Sequence, residues 1–230
     1  MNRTFSRMAE SDSATGPRAP LSRERVLQAA FALAERNGIE ALTMRKLADE
    51  LGVGAMTLYY HVPNKDELLD GMVDIVFGEI ELTATDVDWR TAMRRRALST
   101  REVLNRHRWA VGLMESRTTP GPASLRLHDA VLGCLREAGF SIELTIHAYS
   151  VLDAYVYGFA LQEKNLPFDD AEGAAAVAEE RRMGTLAEEF PYLAEVVAGH
   201  VAEVGYDFAA AFEWGLDLIL DALEARRNAA

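Results

Sequence analysis

The segment from Leu42 to Leu69 constrains the fold more than any other part of this sequence. It reads LTMRKLADELGVGAMTLYYHVPNKDELL and places a small residue, a glycine and an apolar residue at Ala48, Gly52 and Leu58. Two helices that cross closely need a small side chain at the crossing, and the turn between them favours glycine, which adopts positive φ without strain. An apolar residue then holds the second helix from below. The spacing therefore predicts a helix-turn-helix with a short second helix, Ala55 to about His61.

Capping residues predict the helices on either side of this motif. Ser22 can cap a first helix that Gly38 ends, and Thr43 can cap the first helix of the motif. Asn64 followed by Glu67 has the spacing of a capping box and predicts the next helix. No segment alternates with a period of two for long enough to indicate a strand. We therefore expect an all-α fold.

The same signals continue through the rest of the chain. Gly139 marks a helix end and Ser141 a helix start. Residues 1–20 are rich in Ser, Ala, Pro and Arg and lack periodicity, which predicts a disordered leader that is either solvated or touches DNA with its arginines. Further helices are expected at Trp89 to Asn105, Ala123 to Ala138, Ile142 to Lys164, Asp170 to Glu180 and Tyr206 to Arg226.

Composition excludes several classes of protein. With 230 residues, 49% of them hydrophobic, the chain can bury a substantial core. It has no apolar run near the roughly 20 residues that span a bilayer and no apolar signal-peptide segment, so we expect a cytoplasmic protein without a membrane partner. Its one cysteine, Cys134, excludes an internal disulfide and a cysteine-rich metal site, and indicates a small core residue.

Charge is distributed unevenly along the chain. The overall net charge is -12, yet residues 1–65 contain nine Lys and Arg against seven Asp and Glu, a net +2. Residues 66–230 contain 15 against 29, a net -14. Because neutralisation of phosphates supplies most nonspecific affinity for nucleic acids, any contact with DNA is expected in the N-terminal part.

The short second helix of the motif has more polar and aromatic residues than it can bury. Thr57, Tyr59, Tyr60 and His61 cannot all face inward, so some of them present polar or aromatic tips to a partner. The alternative for the tyrosines is packing on the domain core with the hydroxyl in water. The alternative for His61 is a C-terminal cap, since histidine is favourable near that end of a helix.

These residues resemble a known family. The run from Thr43 to Val53, followed by Thr57-Leu-Tyr-Tyr-His-Val and Asn64-Lys65, resembles the DNA-binding domain of the TetR family of bacterial transcriptional repressors, in particular the tetracycline repressor subgroup. This resemblance covers Leu21 to about Phe77. It implies that the second motif helix enters the major groove, and that a homodimer places two such helices about 34 to 36 Å apart on a near-palindromic operator. It also implies a DNA-binding domain at residues 21–66 and a ligand-binding and dimerisation domain at residues 67–230.

The resemblance assigns roles to individual residues. Arg45 lies where its guanidinium can reach a guanine edge with two hydrogen bonds. Ala55 and Met56 stand where the tetracycline repressor has glutamine and proline; either could touch a thymine methyl group, so we expect a different operator. Candidate contacts to bases or backbone are Thr57, Tyr60 and His61, and candidate phosphate contacts are Thr43, Tyr59 and Lys65.

The two long helices of the C-terminal part are apolar on more than one side. Such helices need cover from the domain core and from something else, and the family resemblance implies a four-helix interface in a symmetric dimer. The alternative is a monomeric bundle that buries both helices. The predicted interface residues are Tyr157, Phe159, Phe208, Phe212, Trp214, Leu216 and Ile219.

The resemblance also implies an inducer cavity whose occupation re-angles the helix from Asp66 to about Leu82. A loose alignment places Leu113 where the tetracycline repressor has a magnesium-binding histidine, so neither metal nor tetracycline is carried over. We expect a small, uncharged and largely apolar inducer and no cofactor. His107 is expected at the surface or a helix end, and His128 and His200 at the surface or in the core. The predicted lining, for each member of which core packing is the alternative, is Trp109, Leu113, Met114, Leu132, Leu135, His147, Val151 and Tyr155.

An enzyme is the competing class. A di-iron bundle needs Glu-x-x-His motifs on two helices, and the sequence contains none. The nucleophile-elbow pattern Gly-x-Ser-x-Gly is also missing. We therefore predict no catalytic residues and no metal site. The alternative function is an all-α small-molecule-binding or enzymatic bundle whose helix-turn-helix mediates protein contacts.

Overall fold

The structure, a computed structural model, describes residues 20–82, 87–114, 116–117, 119–166, 173, 175–176, 189–197, 199 and 207–229. These ranges contain α-helices and one short 3₁₀ helix and no strand, which confirms the all-α prediction. The α-helices with described bounds are α1 (Arg23–Asn37), α2 (Met44–Leu51), α3 (Ala55–His61), α4 (Lys65–Glu79), α5 (Trp89–Arg106), α6 (Val111–Met114), α7 (Pro122–Glu137), α8 (Ile142–Lys164), α9 (Pro191–Val196) and α10 (Phe208–Ala229).

The predicted caps of the N-terminal helices are confirmed. The side chains of Ser22 and Thr43 accept hydrogen bonds from backbone N–H groups in the first turns of α1 and α2, at 3.3 and 3.2 Å. Gly52 ends α2 with φ 65°, a left-handed conformation that glycine adopts without the strain of a Cβ. Asn64 caps α4 as predicted, because the Glu67 N–H donates to Asn64 Oδ1 at 2.8 Å. The reciprocal bond runs between the side chains, from Asn64 Nδ2 to Glu67 Oε1 at 3.3 Å, whereas a capping box uses the backbone N–H of the capping residue.

The later helices agree with their predicted bounds to within a few residues. Helix α8 has the predicted bounds, and Ser141 caps it by accepting a hydrogen bond from the Leu144 N–H at 3.1 Å. Helix α7 starts at Pro122, one residue before the prediction, because proline suits the first turn of a helix. Helix α10 extends to Ala229, three residues past the prediction. The predicted leader and most of the predicted helix at Asp170 to Glu180 lie outside the described residues.

Two apolar clusters make up the core. The first joins α1 to α4 with the end of α5, α6 and residues of α7 and α8, and the second joins α5, α7, α8 and α10. Ala48 and Leu58, predicted at the helix crossing and under the second motif helix, are 3% and 0% exposed. Helix α4 packs on α1 and also on α7, so one continuous helix connects the motif to the C-terminal bundle.

No helix in the described part of the chain combines the length and the apolar character needed to cross a membrane.

Candidate functional sites

The nine residues predicted to contact DNA lie on α2 and its N-cap Thr43, on α3, and on the first residue of α4. Leu58 is the buried residue of α3, while Met56 and Tyr60 are 82% and 87% exposed. His61 is half-buried, and the ring of Tyr60 meets it edge to face at 5.4 Å. The others, all with exposed side chains, are Thr43, Arg45, Ala55, Thr57, Tyr59 and Lys65.

Two of these residues carry a positive side chain that is available for an external partner. Neither Arg45 nor Lys65 has a hydrogen-bond or ion-pair partner for its side chain among the described residues. Both cations can therefore bind an external anion or acceptor without first breaking an internal contact. Leu58 of α3 and Val62, which follows the helix, are each 0% exposed and anchor this short helix to the core.

A cavity of about 480 Å³ lies between α4, the α6–α7 connection, α7 and α8. Val73 and Phe77 of α4 contribute apolar surface to the wall. Met114 and Pro120, from α6 and the α6–α7 connection, also line it with apolar groups. The wall contains more polar residues than the largely apolar lining that the sequence predicted. It includes Asp70, Asp74, Arg117, Thr119, Ser124, His128, Tyr149, Ser150, Asp153 and Tyr157.

Arg117 links the cavity wall to the start of α4. Its Nε donates to Asp70 Oδ1 at 2.5 Å, and its two Nη atoms lie 3.1 Å from Asp66 Oδ1. The hydrogen bond to Asp70 raises the pKa of Arg117, although its partial burial acts in the opposite direction. The guanidinium therefore stays charged and fixes the α6–α7 connection against α4.

Asp74 makes a second link between α4 and the far wall. Its Oδ1 accepts hydrogen bonds from the backbone N–H groups of Ala123 and Ser124 at 2.9 and 3.0 Å, in the first turn of α7. A carboxylate is favourable there because helix N-termini carry unsatisfied N–H groups and a partial positive charge. Gly121 has no side chain where Asp74 packs against it, so the close approach depends on glycine.

His128 and Asp153 complete the polar wall. The Asp153 carboxylate accepts a hydrogen bond from Arg96 at 2.5 Å, and Arg96 is only 2% exposed. Burial lowers the pKa of His128, which favours the neutral imidazole. The His128 ring meets Phe77 and Tyr149 edge to face at 5.8 and 5.6 Å. This wall offers aromatic surface together with hydrogen-bonding groups.

The structure places one of the eight predicted ligand-lining residues, Met114, in the wall of this cavity. Trp109 and Leu113 pack on the first core cluster. Leu135 and Tyr155 belong to the second core cluster, where the Tyr155 hydroxyl donates to the Phe212 carbonyl at 2.9 Å, and Leu132 is partly exposed on α7. The remaining two, His147 and Val151, line a separate hollow of about 550 Å³ between α8 and α10.

Helix α4 is the part of the cavity that the sequence analysis missed. Asp66, Asp70 and Asp74 recur at intervals of four residues on a helix that is otherwise largely apolar. Residues four apart share one helix face, so the spacing indicates an acidic stripe that faces other polar groups. The four-residue spacing of these aspartates could therefore have indicated, from the sequence alone, that α4 contributes to a polar cavity wall.

Seven residues were predicted at a dimer interface, and the structure distributes them over three environments. Tyr157, Phe212 and Leu216 are buried within the subunit's own core. Phe159, Phe208 and Ile219 are partly buried. Trp214 is 70% exposed on α10. It belongs to a set of exposed apolar residues on α8 and α10, the α8–α10 face, whose other members are Ile142, Ile146, Val151, Leu161 and Leu218.

Further groups lie apart from the described cavity. Another hollow, of about 490 Å³, lies beside Trp89, Cys134 and Arg227, and contains none of the predicted ligand residues. Burial raises the pKa of the Cys134 thiol, which is half-buried.

His107 is at a helix end, as one alternative predicted, but it is buried and not at the surface. Among the described residues, no group of three or more His, Cys, Asp or Glu side chains is arranged to hold a metal ion.

Two family models match the chain. Residues 26–72 match the family described as bacterial regulatory proteins, tetR family. Residues 83–227 match the tetracyclin repressor-like, C-terminal domain. The first match covers the helix-turn-helix and the first half of α4, and the second covers most of the helical bundle.

Individual relatives support both matches. The HTH-type transcriptional repressor DrrR1 of Streptomyces coeruleorubidus is 36% identical over 91% of this chain and 79% of its own length. The tetracycline repressor protein class A from transposon 1721 of Escherichia coli is 34% identical over 88% of this chain and 90% of its own. Among solved structures, ActR from Streptomyces coelicolor in complex with actinorhodin superposes with a TM-score of 0.76 at 29% identity, over 91% of this chain and 99% of that one.

Proposed function

The chain belongs to the TetR family of bacterial regulatory proteins, and from that premise we propose which residues contact DNA and where the ligand binds. It is a ligand-responsive, DNA-binding transcriptional repressor that acts on an operator as a homodimer. The observation that carries the proposal is the cavity against α4. Four of its lining residues lie on the helix that begins four residues after the end of the exposed motif helix α3.

Residues 21–66 form the DNA-contacting part in this proposal, and residues 67–230 hold the ligand and the partner subunit. Tyr60 and Met56 of α3 are 87% and 82% exposed and would enter the major groove. The unpaired Arg45 would bind a base edge. Lys65, with Thr43 and Tyr59, would bind phosphates, which fix the register of the protein without selecting the sequence.

Specific operator binding is tested by fluorescence anisotropy on the DNA beside the protein's own gene, across a salt series and against scrambled DNA of equal length. We expect an affinity of about 10⁻⁸ to 10⁻¹¹ M for the operator and much weaker binding to the scrambled DNA. Equal, weak binding to both DNAs and to an unbiased selection of genomic fragments would contradict the proposal. That result would favour the alternative function, in which the helix-turn-helix mediates protein contacts and not DNA binding.

A pair of substitutions distinguishes base contacts from phosphate contacts. Lys65→Ala should weaken binding to operator and scrambled DNA alike and lower the salt slope by about one. Arg45→Ala should weaken operator binding by about 1 to 3 kcal/mol and relax the preference at one base position. Both are measured by anisotropy on a set of single-base operator variants. Equal losses on every sequence for both variants would remove Arg45 from base recognition.

The ligand in this proposal is a small, largely apolar organic molecule that occupies the 480 Å³ cavity. Phe77, His128, Tyr149 and Tyr157 offer aromatic surface, and the neighbouring hydroxyl and carboxylate groups orient polar substituents. ActR, which shares the fold, is known in complex with actinorhodin, and this supports a small organic ligand here. The ligand would act through different affinities for the operator-bound and free conformations, because a ligand with equal affinity for both shifts nothing.

Ser124→Leu tests which cavity holds the ligand. Ser124 is 3% exposed and its backbone N–H, which the substitution retains, bonds to Asp74, so the added carbons should take up cavity volume. We expect operator affinity without ligand to be unchanged and the concentration of a screened effector needed for release to rise about tenfold or more, roughly 1.4 kcal/mol of lost binding. The measurement is release of labelled operator by that effector.

Ala130→Leu is the matched control, because Ala130 lines the hollow beside Trp89 and Cys134. A loss of response in Ala130→Leu with a normal response in Ser124→Leu would move the ligand to that hollow.

The α8–α10 face is the dimer contact that we propose. Its apolar residues are exposed in one subunit, and a two-fold axis would bring the same face of a partner against them. The proposal assigns the chain no catalytic activity.

A further inference from the structure

His107 lies at the C-terminal end of α5 with only 6% of its surface exposed. Both of its ring nitrogens face carboxylate oxygens. Nδ1 is 2.7 Å from Glu35 Oε1, and Nε2 is 2.9 Å from Glu79 Oε2. The imidazole is therefore a bridge between two acidic side chains.

Only one protonation state suits this bridge on both sides. A neutral imidazole has a single N–H and presents a lone pair at the other nitrogen, whereas the imidazolium donates from both nitrogens. An ionised carboxylate only accepts hydrogen bonds, so a neutral His107 would satisfy one glutamate and repel the other. Hydrogen bonds between charged partners are also shorter and stronger than neutral ones. The geometry thus fits the imidazolium, with one positive charge between two negative ones.

The bridge joins three elements of the fold. Glu35 is in the last turn of α1, within the DNA-contacting part, and Glu79 is the last residue of α4. The indole Nε1 of Trp109 also donates to Glu35 Oε1. Arg106 adds a positive charge to the cluster, with Nη2 3.2 Å from Glu79 Oε2. The Phe31 ring of α1 covers the His107 ring edge to face at 5.0 Å, so the cluster is enclosed from the DNA-contacting side.

We propose that the His107 imidazolium is a positioning residue that ties the DNA-contacting part to the C-terminal domain and holds the orientation that binds the operator. The inference rests on the proposed function. Phe77, two residues before Glu79, and Asp74 line the ligand cavity on the same helix. A displacement of α4 by ligand would carry Glu79 away from His107. The bridge is therefore in a position to be strong in one conformation and weak in the other.

The expected consequence is an operator affinity that depends on the proton of His107. The double bridge exists while His107 is protonated and loses one hydrogen bond when it deprotonates. Operator affinity should therefore be higher at about pH 5.5 than at about pH 9, because these conditions lie on either side of the near-neutral region in which histidine side chains change charge. We expect a fall of about tenfold, equivalent to about 1.4 kcal/mol.

The test measures operator affinity over this pH range for the full-length wild type, His107→Gln and Glu35→Gln. Glutamine at 107 does not titrate, so that variant should bind about tenfold more weakly than wild type at low pH and show a flattened profile. Glu35→Gln keeps an oxygen acceptor for Trp109 but removes the charge, and should flatten the profile as well. Glu102→Gln, an exposed position on α5, is the matched control and should follow the wild type.

His61 also titrates and is itself a candidate DNA contact, so the comparison is repeated in a His61→Gln background. The difference between wild type and His107→Gln should persist there. Side-chain ¹⁵N spectra supply a readout independent of DNA. The signals that His107→Gln removes should show two protonated ring nitrogens at pH 7 in the wild type.

Two results would overturn the proposal: pH profiles of His107→Gln and Glu35→Gln that both parallel the wild type, or ¹⁵N signals of a neutral ring. If His107→Gln fails to fold, the Glu35→Gln profile and the wild-type spectra decide. Failure of the wild type to bind any operator specifically would instead contradict the proposed function, and the ¹⁵N spectra would still test the bridge.

Discussion

Trp214→Asp is expected to convert the dimer into monomers and to abolish specific operator binding with it. Trp214 is 70% exposed on α10, and Leu218, one turn further, is 50% exposed. Tryptophan is the residue type most often found at the energetic centre of interfaces, where truncation costs about 2 to 4 kcal/mol. In a two-fold interface each substitution occurs twice, and a buried unpaired carboxylate adds a desolvation penalty. The dimer should therefore be weakened by about 10³-fold or more.

Loss of the dimer removes DNA binding indirectly. An isolated subunit carries one recognition helix and reaches one half-site, so it loses the second half-site that a two-fold operator offers. The measurements are light scattering for mass and anisotropy for operator binding. Leu125→Asp is the control, because Leu125 is 53% exposed on α7, outside the α8–α10 face, and should leave the mass unchanged. A Trp214→Asp protein that scatters light as a dimer would place the interface elsewhere.

The sequence was sufficient for the local architecture of the DNA-contacting part. Caps and turns depend on residues three or four positions apart, as in the bonds of Ser22, Thr43 and Asn64 to the helices that follow them. The left-handed Gly52 is likewise a local requirement of the turn. Interactions over such short separations are visible in the order of residues, so the three-helix start of the chain was predictable without its fold.

The cavity was not predictable in the same way. Its wall combines α4, α7 and α8, and the Arg117–Asp70 pair joins residues 47 positions apart. Periodicity shows which residues share a helix face, but not which face of another helix they meet. The predicted lining lay mainly on α7 and α8 and omitted α4, because that helix was considered only as a connection.

Helix α10 shows a second limit of sequence patterns. Phe212, Leu216, Leu220 and Leu223 recur every three or four residues and form the buried stripe. Trp214 and Leu218 form another apolar stripe on the exposed side. Both stripes have helical spacing, so hydrophobicity alone does not separate the face for the core from the face for a partner. The predicted interface accordingly mixed residues from both.

Asp153→Ala is the second substitution with a large expected effect. Asp153 lines the cavity and pairs with Arg96, whose side chain is 2% exposed. Arg96 Nε is already buried without a hydrogen-bond partner among the described residues. The Asp153 carboxylate lies 2.5 Å from the Arg96 guanidinium, and its removal would leave that buried positive charge without this partner. Breaking a buried ion pair from one side typically costs about 3 to 5 kcal/mol, which is a large share of a domain's stability. Urea unfolding of the purified protein measures this loss.

The double variant Arg96→Met with Asp153→Leu distinguishes the origin of that loss. If it arises from an uncompensated charge, replacement of both partners by apolar side chains should recover most of the stability, because a buried ion pair is often no more stabilising than apolar packing of similar volume. If the double variant is as unstable as Asp153→Ala, the pair stabilises α5 against α8 by its own hydrogen bonds, and the charge argument is wrong. In a recovered double variant, a reduced ligand response with normal operator affinity would assign the Asp153 carboxylate to the ligand. An unchanged response would restrict Asp153 to holding Arg96 in the wall.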